Sequence, residues 1–199
     1  MTRLCGLGWG LLMLLMPGWV LAETGPNVRA QVQVDAGVYQ LYSEVLISQP
    51  PPQVRQVLAD YSRLPQINSG ITAVRLLGYS PTGEQRMAVE AASCVALFCR
   101  TYRWVQAVTQ LPDGSIQAVI EPQHSDFRQG LTRYRFLPHD HCTRLVFEAQ
   151  LEPVFWLPPF LGAWLIERKL AAEALETAHN IESYAEPAGL GDCAPLSSP

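Results

Sequence analysis

Apolar and polar residues alternate through most of this chain, and the alternation gives way to a helical period in two places. From Val38 to Ile47, Tyr39, Leu41, Ser43, Val45 and Ile47 alternate with Gln40, Tyr42 and Glu44, the period of two that marks a half-buried strand. Pro50, Pro51 and Pro52 end that run and open a helix. There Val54, Val57, Leu58 and Tyr61 share one face at i, i+3, i+4 and i+7. Leu64-Pro65 breaks it, leaving residues 66–70 as a loop or one further turn. Residues 71–151 show no helical period. They divide into six strand-like runs, 71–79, 84–92, 100–111, 115–121, 127–137 and 143–151, with turn residues between them. Asp113-Gly114 is a strong short-hairpin signal. In the last pair Tyr134, Phe136, Leu145, Phe147, Ala149 and Leu151 point one way, and Arg133, Arg135, Arg144, Glu148 and Gln150 the other. That pattern belongs to an antiparallel sheet with one wet face.

The second helical stretch runs from Phe155 to Tyr184. Pro158 and Pro159 suit its first turn, where the missing N–H groups would be unpaired anyway. Ala163, Ile166, Leu170, Ala174, Ala178 and Ile181 recur at three- and four-residue steps, and Trp164, Ala171 and Leu175 widen the stripe. Glu167, Arg168, Lys169, Glu173, Glu176 and Glu182 are left for water. About 27 helical residues would span roughly 40 Å, a length that needs a large surface to lie against. Residues 23–36 are polar and read as a lead-in segment or a ragged edge strand. The expectation is an α+β domain with a curved antiparallel sheet of about seven strands, two short helices after the first strand, and a long C-terminal helix covering the apolar face.

Composition adds a compartment. Arg3 followed by the apolar run from Leu4 to Leu15, with Val20-Leu21-Ala22 behind it, has the form of a cleaved signal peptide. Residues 1–22 are therefore assigned to export, with Glu23 opening the mature domain (23–185) and a Pro/Gly/Ser-rich tail (186–199) expected to be disordered. A periplasmic or secreted protein follows. The net charge of −4 and pI near 5.5 argue against a nucleic-acid binder. Four cysteines remain after cleavage: Cys94, Cys99, Cys142 and Cys193. Export permits disulfides. Cys94 and Cys99 bracket a hairpin loop and are expected to be joined. Cys142 and Cys193 can pair through a flexible tail, though nothing in the sequence demands it. The loop between the first two, Val95-Ala96-Leu97-Phe98, is apolar where water would normally surround it. It either folds over the interior as a flap or touches a membrane or partner.

The run VRQVLADYSRLPQINSGITAVRLL resembles the opening of the START-like (SRPBCC, helix-grip) superfamily, and SDFRQGLTRYRFLP, TRLVFEAQLEP and the long amphipathic helix resemble its closing hairpin and lid helix. The branch most similar is that of the coenzyme-Q-binding and polyketide cyclase/dehydrase-like proteins. The resemblance covers roughly Val38 to Tyr184 and rests on apolar spacing rather than on catalytic signatures. It implies a cavity between sheet and helix that holds lipids, quinones, sterols or polyketides, in some members with chemistry. The signal peptide and the C-x4-C pair depart from cytosolic and mitochondrial members and argue against a role in quinone biosynthesis.

The aromatic residues fit either a filled core or the lining of such a cavity. Tyr61, Trp104, Tyr134, Phe136, Phe147 and Trp164 are assigned to the lining, with Phe155 and Trp156 guarding its mouth. Most strand arginines are expected outside, paired with carboxylates. Arg100 and Arg128 are the candidates for an inner position facing a ligand's carboxylate or phosphate headgroup. No G-x-S-x-G, metalloprotease helix or phosphate-cradling glycine loop is present. His139, Asp140, His141 and Cys142 crowd one turn, but a metal there would need a ligand from a distant segment, so a solvated turn is the reading. No catalytic residue, metal or cofactor is assigned. The expected function is binding of a hydrophobic small molecule, a lipid or a quinone- or polyketide-like compound, without catalysis, by a monomer in transient contact with a membrane. The alternative is a cyclase/dehydratase-type enzyme in the same cavity. A displaced ionisable residue inside would favour the enzyme, and a wholly apolar lining would favour carriage.

Overall fold

The computed structural model describes residues 27–95, 97–157, 162–184 and 193–196. Its strands are β1 (Val28–Asp35), β2 (Val38–Ile47), β3 (Ile71–Tyr79), β4 (Gln85–Val95), β5 (Phe98–Gln110), β6 (Ile116–Glu121), β7 (Phe127–His139) and β8 (Cys142–Pro153). The helices are α1 (Pro51–Ala59), α2 (Leu64–Ile67) and α3 (Ala163–Tyr184). All eight strands join one sheet in the order β1-β2-β8-β7-β6-β5-β4-β3, antiparallel throughout. Sequential hairpins build β3 through β8, and the two short helices carry the chain from β2 across to the far edge at β3.

The sheet has eight strands rather than about seven. The extra one is the stretch with two readings from sequence, a lead-in or an edge strand. Its polar letters, Gln31, Gln33 and Asp35, alternate with Val28, Ala30 and Val32, which are buried. Ala36 and Gly37 both take positive φ, 48° and 85°, as a two-residue turn between twisted strands requires. The signal peptide and most of the predicted tail lie outside the described residues.

The long helix also differs from its sequence reading. Its predicted start at Pro158 and Pro159 lies outside the described residues. Phe155 to Leu157 carry no helix, and α3 begins at Ala163. Three glutamates assigned to water have other work. Glu167 accepts from the Val32 N–H at 2.9 Å, and Glu182 from the Ser48 N–H at 2.6 Å. Glu176 accepts from the Ser69 hydroxyl at 3.0 Å. The first two bonds fasten α3 along β1 and β2, where backbone donors at a sheet edge would otherwise be unpaired.

Packing along α3 is uneven, and the unevenness makes the site. Only Ala178 and Ile181, in its last turns, are buried. There they meet Val28, Val45, Ile47, Val54, Leu58 and Ile67 in a closed core. The apolar residues of the first half, Ile166, Leu170 and Ala174, stay half-buried although they face inward. The helix is thus closely packed in its last turns, while its first half is tied to β1 through Glu167 and leaves its inner face bordering open space.

Both cysteine pairs are disulfides. Cys94 and Cys99 face each other across the β4–β5 hairpin, five residues apart in sequence. Cys142 and Cys193 join the β7–β8 turn to the tail, 51 residues apart. The His-rich turn is a tight hairpin with Asp140 at φ 54°, and His139 Nε2 lies 2.9 Å from the Ala194 carbonyl oxygen. Cys193 and Ala194 therefore rest against that turn.

Candidate functional site

Inward-facing positions of β4 through β8 come to a cavity of about 230 Å³ beneath the first half of α3. Its walls are Val89, Trp104, Val108, Ala118 and Phe147 from the sheet, Tyr61 after α1, and Leu170 from α3. Two smaller chambers share its walls. One of about 180 Å³ lies toward Phe98, Arg100, Phe155 and Ile166, and one of about 100 Å³ toward Ile67 and Thr177. The aromatic wall is mutually supported. Tyr102 stacks on Trp104 at 5.9 Å, and Phe127 meets both rings edge-on at 5.9 and 6.0 Å, arrangements that aromatic quadrupoles favour. The Trp104 indole N–H donates to Gln106 at 2.8 Å, so this ring presents only its apolar surface to the space.

A larger recess, about 450 Å³, lies on the outer face between Gln31, Gln40, Gln117, Arg133 and Gln150. It is open, with glutamines and charges along its sides. An apolar ligand would gain little there, because its surface would stay wet.

The structure brings Tyr61, Trp104, Tyr134 and Phe147 together around the cavity. Phe155 and Arg100 line the outer chamber, where the Arg100 guanidinium carbon sits 4.1 Å above the Phe155 ring centre. Phe136 packs against the two buried clusters rather than the open space. Trp156 is 68% exposed, and Trp164 is 52% exposed with Arg168 over its ring at 5.6 Å. Arg128 is an outer-face residue 3.7 Å from Glu152. The reason for Trp164 is rotational. It lies on the flank of the helical stripe, and the helix turns that flank to solvent.

One charged residue enters the cavity unforeseen. Glu173 lies seven residues after Ile166 and three after Leu170, on the inward stripe itself, and its carboxylate lines both inner chambers. The spacing carried that signal; the residue's charge argued it away. Lys169 Nζ, one turn earlier, is 3.2 Å from Glu173 Oε1. Burial pushes the Glu173 carboxyl above the usual carboxylate range, the neighbouring Lys169 pulls it back, and Glu176 adds to the rise. Burial, and then the charge of Glu173, push the Tyr134 hydroxyl up to about 12. Tyr102 is also pushed up to about 12 by burial and Glu173, against a hydrogen bond with Ser93. Both phenols are therefore neutral at physiological pH.

A curved antiparallel sheet gripped by a C-terminal helix over an apolar cavity is the START-like, helix-grip fold. More narrowly, the sequence model of the polyketide cyclase / dehydrase and lipid transport family matches residues 47–176, and the chain belongs to that family. Its fold is similar to that of the STAR-related lipid transfer protein from Xanthomonas axonopodis, with 17% identity, TM-score 0.59, and coverage of 84% of this chain and 98% of that one. It is similar to the Zhui aromatase/cyclase from Streptomyces sp. R1128, with 16% identity, TM-score 0.57, and coverage of 77% and 99%. Human StAR-related lipid transfer protein 5 is a third, with 12% identity, TM-score 0.59, and coverage of 84% and 86%. At these identities the likeness is one of fold. No curated protein matches the chain in sequence.

Proposed function

We propose that this protein is an exported carrier that holds a hydrophobic small molecule, a lipid or a quinone- or polyketide-like compound, without chemically changing it. The observation that carries the reading is the interior apolar space between the sheet and the inner face of the first half of α3. Residues whose side chains are only half-buried although they face inward, Trp104, Phe147 and Leu170 among them, are the walls of a container rather than a filled core. Two disulfides support an oxidising compartment. Among the described residues no helix is long and apolar enough to cross a membrane. Leu97, wholly exposed, adjoins Phe98 of the outer chamber, and Trp156 adjoins Phe155. These apolar side chains, with Trp164, suit the chamber's mouth to brief contact with a lipid surface.

The test is fluorescence of phenylnaphthylamine, a neutral apolar dye. Wild-type protein should bind it with strong enhancement and yield it to added phosphatidylcholine vesicles. Ala118→Phe, which places a ring into the 230 Å³ chamber, should weaken binding at least about tenfold with secondary structure intact. A wild-type protein that does not bind the dye would end the carrier reading.

Glu173 favours a second reading, a cyclase/dehydratase-type enzyme, because a carboxyl displaced upward beside neutral phenols can act as acid or base. Protein purified from its exported compartment separates the two. Its intact mass should correspond to a chain beginning at Glu23, and solvent extracts should contain an apolar compound. Incubated with fresh protein, that compound should be recovered unaltered; a mass change would support the enzyme.

A further inference from the structure

Within the carrier reading, on which this inference rests, we infer that Glu173 and Tyr134 form a polar end to the cavity that selects an apolar molecule bearing a neutral hydroxyl, as in a sterol, long-chain alcohol or phenol. Among the described residues Lys169 is the one hydrogen-bonding partner of the Glu173 carboxylate. A carboxylate has about four acceptor positions, so most of its capacity is unspent. The Tyr134 hydroxyl has no hydrogen-bond partner among the described residues, and it shares both inner chambers with Glu173. Gly70 keeps the space beside the carboxylate open. A Cβ there would stand 3.4 Å from Glu173 Oε1 and 2.9 Å from Asn68 Oδ1, so any side chain would crowd the group. Of the other polar groups at these walls, Asn68 accepts from the Gly70 N–H at 2.8 Å, Gln106 accepts from Trp104 at 2.8 Å, and Tyr102 bonds to Ser93.

An acceptor and an unpartnered phenol ask for a group that donates and accepts at once, and a hydroxyl does both. A carboxylate or phosphate can take the Tyr134 hydrogen but meets Glu173 as a like charge. An ether takes the same hydrogen and leaves Glu173 without a new donor. An ammonium would have to compete with Lys169 for the carboxylate, and would lose its own hydration in an apolar chamber. A hydroxyl avoids all three costs. Polar groups left unpaired in a buried site discriminate strongly against ligands that fail to satisfy them.

Competition against phenylnaphthylamine tests this with the full disulfide-bonded protein. The competitors are decanol, its methyl ether, decanoate and decylamine, which share one chain length. Wild-type protein should bind decanol at least about tenfold more tightly than each of the others at neutral pH. In Glu173→Gln the like-charge repulsion is gone, and the advantage over decanoate should shrink to about threefold or less. The wild-type comparison decides the matter even if the variant does not fold. If all four bind wild type alike, or decylamine binds tightest, the hydroxyl assignment is overturned while carriage stands. If the dye binds and none of the four displaces it, the assignment also falls. If the dye itself does not bind, both readings fall together.

Discussion

Cys193→Ser should lower the stability of the domain by about 4 kcal/mol, which makes it the most damaging single change expected outside the core. The disulfide to Cys142 spans 51 residues, and closing a loop of that length removes roughly this much chain entropy from the unfolded state. The staple encloses all of β8 and all of α3. It also holds Cys193 and Ala194 near the β7–β8 turn, where His139 meets Ala194 at 2.9 Å and Cys193 lies 3.5 Å from the Ser48 hydroxyl. A domain of this size has about 5–15 kcal/mol in hand, so the loss would be a large fraction of the total. Cys99→Ser, breaking a loop five residues long, should cost only about 2 kcal/mol on the same account. Urea unfolding with and without reductant measures both. In strong reductant the variants and wild type should converge. A Cys193→Ser protein as stable as wild type under oxidising conditions would show that the link does not constrain the unfolded chain.

The two halves of α3 should respond oppositely to truncation. Ile181 has no exposed surface and closes the core formed with Val28, Ile47, Val54 and Ile67. Ile181→Ala should therefore cost about 2–5 kcal/mol, because the hole it leaves lies among atoms that cannot collapse into it. Leu170, three turns earlier, is half-buried and borders the cavity. Its truncation enlarges a space that already exists, so its neighbours forfeit fewer contacts. Leu170→Ala should cost less than about 2 kcal/mol and should alter the affinity or emission of bound phenylnaphthylamine, while Ile181→Ala should weaken folding without a specific effect on the dye site. Equal destabilisation by the two would mean that α3 is packed along its whole length and that nothing is contained beneath it.

Much of this architecture is written in local periodicity. Alternation along β2, β7 and β8 identified both the strands and the face they bury, because a one-residue slip would have exposed every apolar side chain together. Asp113-Gly114 marked its hairpin, and the ladder that brings Cys94 opposite Cys99 follows from the pairing of β4 with β5. The eighth strand was legible too, in Val28, Ala30 and Val32, but its polar letters outweighed the alternation.

What lies inside was settled by contacts distant in sequence. A helical stripe specifies which side of α3 is inward, but not how far each turn stands from its partner. That distance is set by β1 and β2, through the bonds from Val32 and Ser48 to Glu167 and Glu182, and by the close packing around Ile181 alone. Charge on a helix usually means water, because desolvating a carboxylate is costly. Here Glu167 and Glu182 meet backbone donors, while Glu173 meets a cavity and Lys169. Cys142 and Cys193 were open to pairing or freedom until the tail returned to the β7–β8 turn. The sequence by itself determined the sheet, the closing helix and its inner face. Only the tertiary structure decided that a space stays open beneath the first half of the helix, because a gap between packed elements is a property of their separation, which no single stretch of chain encodes.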